Sequence, residues 1–182
     1  MVAPIQITDP KRIDKIIQEF QNYLDTELSE IDYCFGKCYK TETENGFIPE
    51  VYIGNNEYSE VFPTDKKSHL FFDVEDDENV SFLNNSRDLE KTVSINLIVS
   101  ANLLEIYPSL DQRADENLIE TIENKINSYY SEYNAIWNLN QIIKKTSNVF
   151  SNFSYKIPDN LNDMQPYFVV AFKFEVVYSN LC

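Results

Sequence analysis

Apolar positions recur at helical spacing near the start of the chain and at alternate positions near its end. Ile13, Ile16, Ile17, Phe20 and Leu24 fall on one stripe, with Lys11, Lys15, Gln18, Glu19 and Asn22 opposite. This spacing predicts an amphipathic helix from about Asp9 to Leu28. Asp9 suits the N-cap and Pro10 the first helical position, where a missing N–H costs nothing. From Ile31 to Phe62, short β-type stretches are broken by Gly36, Asn45-Gly46 and Gly54-Asn55. Asn-Gly between such stretches signals a hairpin, so two or three strands are expected. Another strand is expected from Ser68 to Val74. The run Asp73 to Asn79 that follows lacks EF-hand spacing and reads as a solvated acidic loop.

The most regular alternation comes next. Val93, Ile95, Leu97, Val99, Ala101 and Leu103 form one wholly apolar face over eleven residues, a strand of roughly 37 Å. A second helix is predicted from about Arg113 to Tyr130, carrying Leu118, Ile119, Ile122 and Ile126, with Tyr129, Tyr130 and Tyr133 extending the stripe. Asp111 or a nearby acid serves its N-terminus. Residues 134 to 147 fit a short helix or a strand equally well. Val149 to Ile157 alternates loosely and reads as a strand, and Pro158 to Pro166 as a loop. The last strand, Tyr167 to Tyr178, points Phe168, Val170, Phe172, Phe174, Val176 and Tyr178 one way. Tyr167, Val169, Ala171, Lys173, Glu175 and Val177 point the other. Only that second face carries charge, so the first is expected to meet the helices. The fold expected is a single α+β domain over residues 1–182, a mainly antiparallel β-sheet with two amphipathic helices packed on one face.

Composition narrows the chemistry. The 182 residues carry 30 acids against 15 Lys and Arg, a net charge of −15. Non-specific binding to nucleic acid or anionic membrane needs an excess of cations, so neither is expected as a partner. The start shows no secretory signal, and no apolar run reaches membrane-spanning length. The three cysteines, Cys34, Cys38 and Cys182, do not make a disulfide framework. On a regular strand Cys34 and Cys38 would share a face, roughly 13 Å apart, beyond disulfide reach. With His69 the only histidine, a zinc site lacks ligands.

The same histidine is the only imidazole available to a Ser-His-Asp or Cys-His hydrolase, and it adjoins the apolar run Leu70-Phe71-Phe72. A structural role suits it better. Three glycines in the whole chain build no phosphate-binding or dinucleotide-binding loop. No catalytic residue, cofactor or metal is therefore expected, and the chain is not expected to be an enzyme. A carboxylate enzyme is conceivable with 30 acids but has no specific support. Tyr129, Tyr130, Tyr133 and Trp137 could form an interface patch, though helix core is the better reading of them. Tyr167, Val169 and Val177, on the outer face of the last strand, are further contact candidates.

The order of elements resembles a family. An N-terminal amphipathic helix, a hairpin region, the long strand Lys91–Leu103, a helix opening Arg113-Ala-Asp-Glu-Asn-Leu-Ile-Glu and the closing Gln165–Tyr178 strand are similar to the tail-terminator and tail-completion (neck) proteins of tailed bacteriophages. The likeness is one of pattern over most of the chain, without a signature motif. It implies a structural virion protein, present in host cytoplasm during assembly. It further implies a homo-oligomeric ring around the DNA path, touching neck, portal-side or tail proteins. The extra acidic residues 73 to 79 and the long segment 134 to 166 depart from that pattern. The alternative is a small binding module or inhibitor acting on a host partner.

Overall fold

A computed structural model describes residues 4–44, 46–61, 68–82, 88–153 and 166–179. The chain runs α1 (Ile13–Glu27), β1 (Tyr33–Thr43), β2 (Gly46–Gly54), β3 (Glu57–Glu60), β4 (Ser68–Phe82), β5 (Leu89–Asn102), α2 (Leu103–Ile106), α3 (Asp115–Ser128), β6 (Ile136–Ile143), α4 (Thr146–Val149) and β7 (Tyr167–Ser179). The seven strands form one sheet in the order β3-β2-β1-β4-β5-β7-β6. Every neighbouring pair is antiparallel except β1 with β4. The fold is α+β.

Alternation along β5 and β7 places the core. Ile95 lies opposite Phe174, Leu97 opposite Phe172 and Val99 opposite Val170. These side chains share one cluster with Leu70 and Phe72 of β4, with Ile16, Ile17, Phe20 and Leu24 of α1, and with Leu118, Ile119, Ile122 and Ile126 of α3. Both predicted helices therefore cover the same face of the sheet. Fully burying one such side chain stabilises by about 2–3 kcal/mol, which offsets the entropy of fixing it.

The opposite face is not bare. Phe71, Ile98, Val169 and Ala171 join Phe35, Cys38, Ile48, Val51 and Val61 in a second cluster, which Val149, Phe150 and Phe153 complete. This explains why Ile98 interrupts the polar positions of β5. Val169, a contact candidate from sequence, is 2% exposed in this cluster, so it belongs to the core.

Several expectations need correction. The first helix begins at Ile13, not beside Asp9. Arg12 takes the cap position at φ 53° and ψ −128°, and no side chain caps the turn. Asp9 instead pairs with Lys11 at 2.6 Å, and Arg12 reaches across to Glu78 of β4. The acidic run 73–79 is not a loop but the middle of β4, which continues to Phe82. The ladder passes from Val74 opposite Ile95 to Glu78 opposite Val93, so three residues of β4 face one of β5 between those pairs. Such a bulge turns acids outward while keeping the strand paired. Asp73 is nevertheless buried, Glu75 pairs with Lys173 at 2.9 Å, and Asp76 pairs with Lys40 at 3.2 Å.

Residues 136–143, undecided from sequence, form β6 because the outer edge of β7 supplies a partner. The strand expected from Val149 is absent over its described part. Val149 ends α4, and a turn follows. Residues 154–157, the loop 158–165 and Cys182 lie outside the described residues. Cys34 and Cys38 do not share a face. The β1–β4 register slips between Cys34 and Lys37, around Gly36, so Cys34 joins the helix-side cluster and Cys38 the other.

Candidate functional site

The tyrosine-rich segment after α3 builds one wall of a concave feature. Helix α3 ends at Ser128, and Tyr129 turns to extended backbone at ψ 138°. The segment 129–133 thus leaves the helix and lies against α1. Glu19 of α1 anchors it, accepting hydrogen bonds from Ser131 Oγ at 2.7 Å and from the backbone N–H of Glu132. Between them opens a groove of about 640 Å³ whose walls include Tyr23, Tyr129, Tyr130 and Tyr133, with Lys11, Arg12 and Lys15 at one end. Lys15 Nζ stands 3.9 Å from the centre of the Tyr133 ring, a cation–π contact.

The four aromatic candidates separate here. Phe20 stacks on Tyr129 at 4.4 Å between ring centres and packs at a tilt on Trp137 at 4.5 Å, and Trp137 meets Phe174 edge-on at 5.3 Å. Tyr129 and Trp137 are therefore packing residues of the helix-side core. Burial, followed by the nearby Glu19 charge, pushes the Tyr129 hydroxyl well above its ordinary range, so it stays protonated. Tyr133 is half-buried. Tyr130 is 82% exposed and free to meet a partner. Of the β7 candidates, Tyr167 and Val177 are half-buried.

Three further surfaces come from the sheet. Among the described residues, no strand pairs with the outer edge of β3 or of β6. β3 reads Glu57-Tyr-Ser-Glu60, with two charges in four residues. β6 reads Ile-Trp-Asn-Leu-Asn-Gln-Ile-Ile and contains no charge, proline or glycine. Ile136 at its start is 57% exposed, and Tyr58 in β3 is 50% exposed. The distal half of the β4–β5 hairpin also presents apolar side chains, Val80 at 55% and Phe82 at 73% exposed.

The buried titratable groups described next make contacts within the protein. His69 Nε2 donates to the Val61 carbonyl at 3.0 Å and fixes the stretch after β3. Asp73 accepts from Asn152 Nδ2 at 2.7 Å and Asn96 Nδ2 at 3.4 Å, and Cys38 Sγ lies 4.0 Å away. Burial, then the Asp73 charge, pushes the Cys38 thiol up. Burial, then Asp25, does the same to Cys34. Neither thiol has the lowered pKa of an activated nucleophile. Among the described residues, no cluster of three or more His, Cys, Asp or Glu is placed to hold a metal ion. No helix among them is long and apolar enough to cross a membrane.

A scan of known protein families and a search of curated proteins find no match to this chain.

Proposed function

We propose that this chain is a structural subunit of a tailed-bacteriophage virion, forming a homo-oligomeric ring in the neck or tail-joining region around the DNA path. One observation carries the reading: the seven-stranded sheet ends on both sides in strands whose outer edges lack a partner among the described residues. Unpaired edges are templates for further pairing, and proteins that stay apart usually block them. Two unlike edges on one subunit suit head-to-tail contact, which closes into a ring when the rotation allows. The order of elements, similar to tail-terminator and tail-completion proteins, supports the same reading. So does the charge of −15, since a ring of such subunits repels passing DNA and does not hold it. Neighbouring neck, portal-side or tail proteins are its partners, and no cofactor enters the proposal. Native mass spectrometry and negative-stain microscopy of the purified chain test it. Rings or discrete multimers are expected. A strict monomer that never enters particles would remove the reading.

A second reading has its own support in the groove at α1. Its exposed Tyr130 and neighbouring cations fit a binding module for a host protein. Recovery of one host protein in a pull-down, lost on Tyr130→Ala and without virion association, would favour it.

A further inference from the structure

Resting on the assembly reading above, we propose that β6 of one copy pairs antiparallel with β3 of the next, so that the subunit sheets join edge to edge around the ring. Strand direction supports this first. Counting along the sheet from β3, the pairings reverse direction at β2 and at β1, keep it at β4, and reverse at β5, β7 and β6. β6 therefore runs opposite to β3. A neighbour added by carrying the whole sheet sideways, with its strand sense kept, meets β6 with an antiparallel β3. Antiparallel strands satisfy each other's backbone groups with straight hydrogen bonds.

Charge is the second argument. The antiparallel arrangement brings the start of β3, at Glu57, to the end of β6, where Lys144 and Lys145 follow Ile143. All three side chains are exposed, as is Glu60. Lys144 has one local partner, Glu116 at 2.5 Å, at the surface. In a protein with twice as many acids as bases, two adjacent lysines beside an uncharged edge are a marked local excess of positive charge. Two β6 edges brought together would place nothing acidic against those lysines from the strands themselves, whereas β3 supplies Glu57. Complementary charge of this kind selects the partner more than it sets raw affinity.

The two edges also differ in protection. β3 is short and charged, the usual defence against uncontrolled pairing. β6 is twice as long and carries no such charges within the strand. A partner with a short edge limits growth to the copies that fit, while Tyr58 and Ile136 supply apolar area beside the backbone bonds.

The test uses the full chain and charge reversal. Glu57→Lys with Glu60→Lys in one variant, and Lys144→Glu with Lys145→Glu in another, should each weaken self-association at least tenfold in sedimentation velocity. Circular dichroism checks that both remain folded. An equimolar mixture of the two variants should assemble again, because each edge then meets its opposite. In the wild-type chain, hydrogen exchange should show the amides of residues 136–143 and 57–60 gaining protection as concentration rises. This second measurement stands even if a variant fails to fold. Assembly of the wild type with both variants unaffected, or with no added protection at these edges, would overturn the edge pairing and leave the assembly reading intact. A wild-type chain that remains monomeric at all concentrations would overturn both.

Discussion

At the scale of single residues, Phe20 is the most consequential side chain. Its ring is fully buried and contacts Tyr23, Phe72, Tyr129, Trp137 and Phe174. Phe20→Ala should destabilise by about 3–5 kcal/mol in urea unfolding, because the aromatic cage around it cannot collapse into the gap. Asp25 is a different case. It sits on the buried side of α1 beside Cys34, and burial raises its pKa. A carboxyl whose pKa is raised on folding binds its proton more tightly in the folded state, so its contribution improves as pH falls from above the folded value towards the ordinary carboxylate range. Asp25→Asn should therefore raise the urea midpoint at pH 7, and its advantage over the wild type should shrink by pH 4. Cys34 and Cys38, 3% and 6% exposed with thiols held protonated, should react with a thiol reagent far more slowly in native than in unfolded protein. A Cys182→Ser chain isolates their signal. Fast native labelling would contradict the packing described for β1. The two cysteines also show what periodicity could not reveal. Spacing by four implied a shared face, and a slip at Gly36 separated them, a backbone event with no apolar signature.

At the scale of elements, β5 and β7 were readable because strict alternation has one economical solution, a strand with a covered face. Their thirteen-pair ladder is the longest regular pairing described in the sheet. Helices α1 and α3 were legible for the same kind of reason, at period 3.6. The β4 run 73–79 was misread because its charges look like a solvated loop, while the neighbouring strand continues to pair with it across a bulge. That bulge makes a sharp prediction. Deleting Asp76 and Asp77 together removes two residues and leaves Val80 and Phe82 on their original faces. Deleting Asp77 alone leaves two residues opposite Ser94, a bulge that still keeps the later pairs in register. Both deletions should therefore leave the urea midpoint close to that of the wild type. The exposed Lys40–Asp76 pair lost with the double deletion is worth little.

At the scale of the whole molecule, charge decides what the protein avoids and shape decides what it can join. With 30 acids and 15 bases, the chain should leave the mobility of duplex DNA unchanged in gels at physiological salt, and retention of the DNA would contradict its proposed place around a DNA path. The sequence by itself determined the fold class and the helix-bearing face of the sheet. Those follow from local periodicity and residue type, which each segment carries alone. Tertiary structure decided the rest. It covered the second face of the sheet, moved Val169, Tyr129 and Trp137 into cores, left Tyr130 facing solvent, and made 136–143 an edge strand. Each of these depends on which distant segment arrives as a neighbour, and solvent exposure belongs to that arrangement and not to the residue.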